Sequence, residues 1–469
     1  MIPVLTPEEM AAVDRQADDP VEILIDRAGA AVSRAALGLL GGAYGRRVVV
    51  VAGSGNNGAD GRAAAAHLRR RGVRVTVVAA GDEQVLADAD LVIDAAYGTG
   101  LRRPYRRPDT GAAPVLAVDI PSGVSGLSGE VLGAGEAPDP QVLGVWATAT
   151  VTFAAYKPGL LLGEGAGRVG EITVVDIGLG ALVEAAARAW LVRDDDVDRL
   201  LPHRPREAHK WQSALQLVAG SPGMTGAPWM VATAAMRTGA GYVRLGLPGV
   251  DPGTAGLPPS EVVSSSLPAT GWVDGLGDGL ARCRALVVGP GLGRLAIQKG
   301  STSEVVSLAR AASCPVLIDA DGIGALGGVD GLRDLASSRS DPTVITPHAG
   351  EYQHLTGEAP PPDRLEAVRA LAQHTGAVVL LKGSTTVVGD PDGRVLLAAS
   401  GSSRLATAGT GDVLSGVIGA LMARGVPAWE AAGLGAHIHG RASALGRSQG
   451  LVALDLPDLI SSWLSTRRP

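Results

Sequence analysis

Cysteine is almost missing from this chain: Cys283 and Cys314 are its only two in 469 residues. That excludes a disulfide framework and a cysteine metal cluster. An excess of basic residues is missing as well. The formal net charge is −6, which argues against a nucleic-acid partner or an anionic membrane surface. No run is long and apolar enough to span a bilayer. The opening MIPVLTPEEMAAVDRQADD has no basic stretch followed by an apolar one, so no export signal is expected and a cytoplasmic location is. Lysine is the last shortage. Of 41 basic residues, only Lys157, Lys210, Lys299 and Lys382 are lysine. Where a bare positive charge suffices the chain uses arginine, so a retained lysine hints at a specific need.

What is present suits a folded protein of more than one domain. Hydrophobic residues make up 46% and charged residues 19%, the balance of a packed globular chain rather than a disordered one. At this length two or more domains are expected. The first half alternates short apolar runs with helix-length segments: RRVVVVAG, VRVTVVAA, DLVIDAAYG, APVLAVDIPSG, ATVTFAAY and GEITVVDIG. Continuous apolar strands separated in this way predict a parallel sheet covered on both faces, a Rossmann-like α/β domain over residues 1–192. The charge- and proline-dense stretch from Trp190 to Lys210 reads as the join. A second α/β domain, residues 193–469, repeats the alternation with LQLVAG, YVRLGLP, ALVVGPG, CPVLIDADG, PTVITPHAG and AVVLLKG. TTVVGD and RVLLAAS, joined by PDG, predict a hairpin. Two long helices, about 411–424 and 427–446, are expected to close the domain.

The stretch LATAGTGDVLSGVIGALMARG, Leu405 to Gly425, carries the most chemistry. Small residues Gly409, Thr410 and Gly411 can turn several N–H groups onto one anion, and the following helix aims its positive end at the same place. Asp412 would be repelled by a phosphate there. It makes sense as a base that takes a proton from, or orients, a hydroxyl attacking phosphorus. A helix N-cap acid is the plainer alternative.

In the first half, GSGNNGADG (Gly53–Gly61) follows a strand and opens a helix, but is neither GxGxxG nor a Walker loop. Its Asn56, Asn57 and Asp60 stand where phosphate loops usually sit. The next strand ends carry Asp94 and then Asp119 with Ser122. Asn57, Asp94 and Ser122 at successive strand ends form an all-oxygen set, which selects hard cations. GSGNNGADG, DAAYGTGL, VDIPSG and FAAYKPG resemble the NAD(P)H-hydrate epimerase family. The resemblance implies interconversion of the R and S hydrates of NADH and NADPH. It implies substrate contacts from Asn56, Asn57, Gly58, Ala59 and Asp60, from Gly98, Thr99, Gly100, Leu101, Arg102, Arg103 and Pro104, and from Asp119. It also implies potassium on Asn57, Asp94 and Ser122. Ala59 stands where that family usually has glycine, a departure that would cost energy if the position needs positive φ. Asp119, at a strand end in a cleft, is the expected proton donor to the carbon-6 oxygen if its pKa is raised.

In the second half, the HK pair at His209–Lys210, SPGMTGA, GPGLG (Gly289–Gly293), LIDADG, TPHAGEY, LLKGSTTVV and AGTGD occur in that order. Together they resemble the ribokinase-like superfamily and, within it, the ADP- or ATP-dependent NAD(P)H-hydrate dehydratase. That resemblance implies a ribokinase-like α/β/α fold and loss of the carbon-6 hydroxyl after phosphoryl transfer to it. Asp412 would be the catalytic base. Ala227, Gly291, His348 and Asp412 would contact the hydrate. Lys382, Gly383, Ser384, Thr385, Thr386 and Gly411 would line the nucleotide, with magnesium accompanying it. ADP is the expected phosphoryl donor. Trp211 departs from the glycine the family commonly has after the His-Lys pair, so the N-terminal edge of the site is expected to differ. The expected partners are small molecules, the NADH and NADPH hydrates and ADP, in a homo-oligomer. The rival readings are a small-molecule kinase using the same AGTGD loop, a non-catalytic first half, and a regulatory cofactor sensor.

Overall fold

The computed structural model describes every residue except 82–84, 87, 136–138, 140–141, 254–260, 294–302 and 468–469. Lys299 lies outside the described residues. The chain divides into two units, residues 2–189 and residues 190–469, with Met1 grouping with the second.

The first unit begins with β1 (Ile2–Val4) and the helices Pro7–Arg15 and Val21–Leu40. β2 (Arg47–Ala52), β3 (Arg74–Ala79), β4 (Leu91–Ala95), β5 (Val115–Val118), β6 (Ala149–Phe153) and β7 (Glu171–Val175) then build one sheet. Its order is β3-β2-β4-β5-β6-β7, and every neighbouring pair is parallel. Val48, Val49, Val50 and Val51 are all buried, as an apolar run in a sheet covered on both faces must be. From β2 the chain goes to β3 on one side and later to β4 on the other. The order therefore reverses at β2, and the carboxyl ends of β2 and β4 part around a crevice.

The second unit contains β8 (Ala189–Leu191), β9 (Ala214–Val218), β10 (Tyr242–Pro248), β11 (Val263–Leu267), β12 (Ala285–Val288), β13 (Val316–Ile318), β14 (Thr343–Ile345), β15 (Val378–Leu381), β16 (Thr386–Gly389) and β17 (Val395–Ala398). The strands run in the order β8-β17-β16-β15-β14-β13-β12-β9-β10-β11. From β15 through β11 the neighbours are parallel. The expected hairpin is present: β16 is antiparallel to β15 and to β17, with Thr386 opposite Ala398 and Gly389 opposite Val395. The order reverses again, here at β9 between β10 and β12.

The closing helices are Thr410–Ala423 and Ala428–Leu445. Gly416 lets the first of them lie on the helix Gly226–Arg237, since a Cβ there would come within 2.3 Å of the Val231 carbonyl oxygen. Part of the stretch read as a join is regular structure. It holds the end of β8 and the helix Asp194–Leu200. Asp194, Asp195 and Asp196 fill that helix's first turn, where the macrodipole favours acids, and Asp196 Oδ2 accepts the Arg193 N–H at 2.8 Å. β11, with the sequence VSSSL, is an edge strand, and its serine run gives none of the apolar signal of its neighbours.

Candidate active sites

The crevice at the β2 reversal opens into a cavity of about 800 Å³. Asn56, Asn57 and Asp60 line it from the start of the helix Asn56–Arg70. Gly98 through Arg103 line it from the loop after β4, Asp119 from the end of β5, and Lys157 from beyond β6. Gly53 and Gly58 let the backbone fold this tightly: a Cβ on either would stand 1.9 Å from a carbonyl oxygen, of Ala96 and Gly53 respectively. Ala59 is helical and its N–H donates to Gly55 O at 3.0 Å. It is not among the positive-φ residues, so alanine carries no left-handed penalty there. Of the expected contacts, Gly58, Ala59 and Pro104 lie outside the cavity wall.

Asp119, the acid favoured from the sequence, sits in an ion pair. Its Oδ1 accepts from Lys157 Nζ at 2.5 Å and from Thr152 Oγ1 at 3.0 Å. Lys157 is 2% exposed, and its other N–H groups go to Thr152 Oγ1 at 2.9 Å and Phe153 O at 3.0 Å. That ammonium is saturated and holds the carboxylate in place. The retained lysine thus has a defined task. Burial raises a different carboxyl, that of Asp60, to about 8, with the charges of Asp119 and Asp14 adding to the rise and Lys157 opposing it. Asp14, beyond the buried Met10 and Val13 on the helix Pro7–Arg15, also lines the cavity and is raised, first by burial.

Asp94 and Ser122 lie beneath the loop after β4. Asp94 is 3% exposed. Its Oδ1 accepts the Ser122 hydroxyl at 2.7 Å and its Oδ2 the Ser122 N–H at 2.8 Å. Burial raises this carboxyl to about 6, against the hydrogen bonds from Ser122 and Ala96. Among the described residues no cationic side chain pairs with it. Asn57 packs beside Gly98, and both its Oδ1 and Nδ2 are buried without a partner. A buried carboxylate with neutral partners and an orphaned amide oxygen form a hard-oxygen set that fits a monovalent cation. Among the described residues no group of three or more His, Cys, Asp or Glu side chains could hold a metal ion.

The second site gathers at the carboxyl ends of β9, β12, β13, β14 and β15. Gly291, after β12, abuts Ala227, whose Cβ lies 3.0 Å from where a Gly291 Cβ would be. Asp319 directly follows β13 and is 1% exposed. Its Oδ1 accepts Lys382 Nζ at 2.6 Å, and its Oδ2 the Ser415 hydroxyl at 2.5 Å. Lys382 and Ser415 hold its carboxyl below the usual range against the effect of burial. The Lys382 ammonium also stands 3.9 Å from Glu351 Oε2 and 3.6 Å from where a Gly411 Cβ would be. Asp412, in the first turn of the helix Thr410–Ala423, is raised to about 6, first by burial and then by Asp319, with Lys382 opposing.

His348 caps the helix Ala349–Thr356: its Nδ1 accepts from Gly350 N at 2.9 Å and Glu351 N at 3.2 Å. Its ring remains largely exposed, at 60%. Arg364 braces the segment expected to line the nucleotide by donating to Lys382 O at 2.9 Å, ahead of Gly383, Ser384, Thr385 and Thr386. Trp211 lies in a different place from this site. It precedes β9, stacked under the Arg282 guanidinium at 3.7 Å and edge-on to Tyr242, and is therefore at the amino ends of the strands.

Three non-glycine residues have positive φ among the described ones: Asp119 at 66°, Ala154 at 63° and Ala320 at 51°. Each is a site carboxylate or the neighbour of a site residue, since Ala154 follows Phe153 and Ala320 follows Asp319. Such conformations cost on the order of 1–3 kcal/mol and persist where the surroundings impose them. Sequence reasoning assigned no role to Asp14, Ser415 or Lys157. Asp14 at i+4 from Met10, beside a buried helix stripe, was the available signal for the first. Ser415 about one turn after Asp412, inside an otherwise apolar helix, was the signal for the second.

Comparison with known proteins covers both units. The family described as NAD(P)H-hydrate dehydratase matches residues 215–465. The family described as YjeF-related protein N-terminus matches residues 21–89 and 79–159. A bifunctional NAD(P)H-hydrate repair enzyme from Salinibacter ruber is 36% identical over 531 residues, covering 98% of this chain and 95% of that protein. One from Mycobacterium leprae is 37% identical over 440 residues, covering 86% and 84%. Among solved structures, a ribokinase-like superfamily protein from Enterococcus faecalis is 20% identical with a TM-score of 0.51, covering 60% of this chain and 97% of that one. It shares the fold of the second unit. No described helix is long and apolar enough to cross a membrane.

Proposed function

Because the chain belongs to the family of bifunctional NAD(P)H-hydrate repair enzymes, we propose that its two units divide that work between the two sites just described. The chain is an NAD(P)H-hydrate epimerase and a nucleotide-dependent NAD(P)H-hydrate dehydratase. The first unit interconverts the R and S hydrates in the cavity at the β2 reversal. The second removes water from the S hydrate with ADP, giving the reduced coenzyme, AMP and phosphate.

Hydroxide leaves carbon poorly. In the second site the carbon-6 hydroxyl attacks the terminal phosphorus of the nucleotide and the bond from phosphorus to the nucleotide oxygen breaks. The ring nitrogen lone pair then expels phosphate, and loss of the carbon-5 proton restores the dihydronicotinamide. Asp412 takes the hydroxyl proton; a carboxyl near 6 is ionised at neutral pH yet basic enough to accept it. The amides opening the helix Thr410–Ala423 and the Lys382 ammonium, fixed by Asp319, face the charge on the transferring group. Lys382 through Thr386 hold the nucleotide, and magnesium accompanies its phosphates. Ala227, Gly291 and His348 contact the hydrate.

In the first site the arginines of the loop after β4, Arg102 and Arg103, meet the substrate's phosphates, and Asp119 meets its ring. Asn57, Asp94 and Ser122 would hold potassium, which would supply the counter-charge that no described cationic side chain gives the buried Asp94. The observation that carries the whole reading is the 36% identity to a two-activity relative over 98% of the chain. The test is incubation of mixed hydrate epimers with ADP or ATP, following absorbance of the reduced coenzyme. Recovery of the coenzyme with release of free phosphate is expected. A stable phosphorylated product would assign a kinase instead.

A further inference from the structure

Asp60 is 9% exposed, lines the first unit's cavity, and among the described residues receives no hydrogen bond or ion pair. It projects from the second turn of the helix Asn56–Arg70. The charged groups facing it from the neighbouring elements are Asp119 after β5, Asp14 on the helix Pro7–Arg15 and Lys157 after β6. Asp119 is committed to Lys157 through Oδ1, and Asp14 is on the exposed rim. The cavity wall also carries Asp19, paired with Arg27 at 2.6 Å, and Arg102 and Arg103 on the loop after β4. Asp60, Asp119 and Asp14 cannot all be charged around the one Lys157 ammonium without cost, and the most buried unpartnered carboxyl is the one that keeps its proton.

We propose that Asp60 is the proton carrier of the epimerisation, giving its proton to the departing carbon-6 oxygen and recovering it when water returns, with Asp119 and Lys157 positioned against the ring. This inference rests on the epimerase reading of the first unit. As Asp60 protonates the oxygen, the ring nitrogen lone pair forms a C=N bond and the carbon–oxygen bond breaks. Water leaves, the ring becomes cationic and Asp60 becomes a carboxylate. Water then adds to either face of carbon 6, the C=N electrons return to nitrogen and the surplus proton returns to Asp60. Nothing is oxidised or reduced. The step exchanges a neutral acid and a neutral ring for a carboxylate and a cation inside the same cavity, so the developing positive charge helps Asp60 to ionise. Burial holds the free acid protonated up to about pH 8, which fits it to donate at neutral pH.

The test uses the full chain and purified R hydrate with no nucleotide, so dehydration is silent, and measures S hydrate formed between pH 6 and 9. Asp60→Asn is expected to lower kcat by about 10²–10⁴-fold with KM little changed. The parent's loss of rate above about pH 8 should disappear with it, and Asp60→Glu should restore part of the rate. ADP-dependent dehydration of S hydrate should match the parent in both variants. An Asn variant within threefold of the parent and with the parent's pH profile would overturn the assignment. So would a defect confined to KM. If the parent itself fails to exceed spontaneous interconversion, the epimerase reading falls rather than the role of Asp60.

Discussion

Asp412→Asn separates the dehydration chemistry from everything else in the chain. The parent carboxyl is raised from 3.8 to about 6, chiefly by burial. At about 1.4 kcal/mol per pH unit, keeping it ionised in the folded state destabilises the second unit by up to about 3 kcal/mol. The sign follows from the direction of the shift. Below pH 3.8 the group is protonated folded and unfolded, and no penalty exists. The penalty grows between pH 3.8 and about 6 and is complete above that. Asparagine never carries the charge. The variant should therefore melt higher than the parent at pH 8 in the second unit's transition and equally at pH 3.5.

Its activity should move the other way. Dehydration of S hydrate with ADP, read by absorbance of the reduced coenzyme, should fall about 10²–10⁴-fold. The parent's rate should climb as pH rises through about 6, when the base ionises. Epimerisation, sited in the other unit, should be untouched. An Asn variant that dehydrates within tenfold of the parent, or that melts no higher at pH 8, refutes the reasoning.

Other outcomes are equally definite. Lys157→Met should destabilise the first unit by about 3–5 kcal/mol, since it leaves a partly buried carboxylate unpaired; adding Asp119→Asn should recover much of that in thermal melts. Ser415→Ala removes the hydroxyl bonded to Asp319 Oδ2; it should cost about 1.5–3 kcal/mol in denaturant unfolding and slow dehydration but not epimerisation. Ala59→Gly, the residue usual in the similar family, should lower stability by no more than about 1 kcal/mol in urea, as glycine does inside a helix, with epimerisation unchanged. Potassium at ten times its dissociation constant should stabilise the first unit by about 1.4 kcal/mol, with lithium and the Asn57→Leu variant showing no such rise in melting temperature.

The strands of both sheets were legible because buried parallel strands are continuous apolar runs, as in Val48–Val51 and Val378–Leu381. β8 and β11 were not: β8 is only three residues long, and β11 is a serine-rich edge strand. The placement of site residues was legible where a motif ends a strand, because strand ends at an order reversal converge. Partnerships were less so. Nothing in VDIPSG and FAAYKPG reveals that Asp119 and Lys157, 38 residues apart, share a hydrogen bond, and nothing in GSGNNGADG reveals that Asp60 has none among the described residues. Which carboxyl keeps a proton depends on burial summed over several elements, and a linear pattern does not record that sum. Trp211 shows the converse. Its departure from the usual glycine stands out in the sequence, yet it falls at the strands' amino ends, remote from the chemistry.

The alanines at 154 and 320 have a consequence for how this protein can be improved. Glycine at either position would relax a backbone that alanine holds in an awkward turn beside Phe153 or Asp319. A laboratory selection that rewards heat tolerance alone therefore favours glycine there. Two ordinary-looking methyl groups thus mark where this chain can be made sturdier without touching its packed interior.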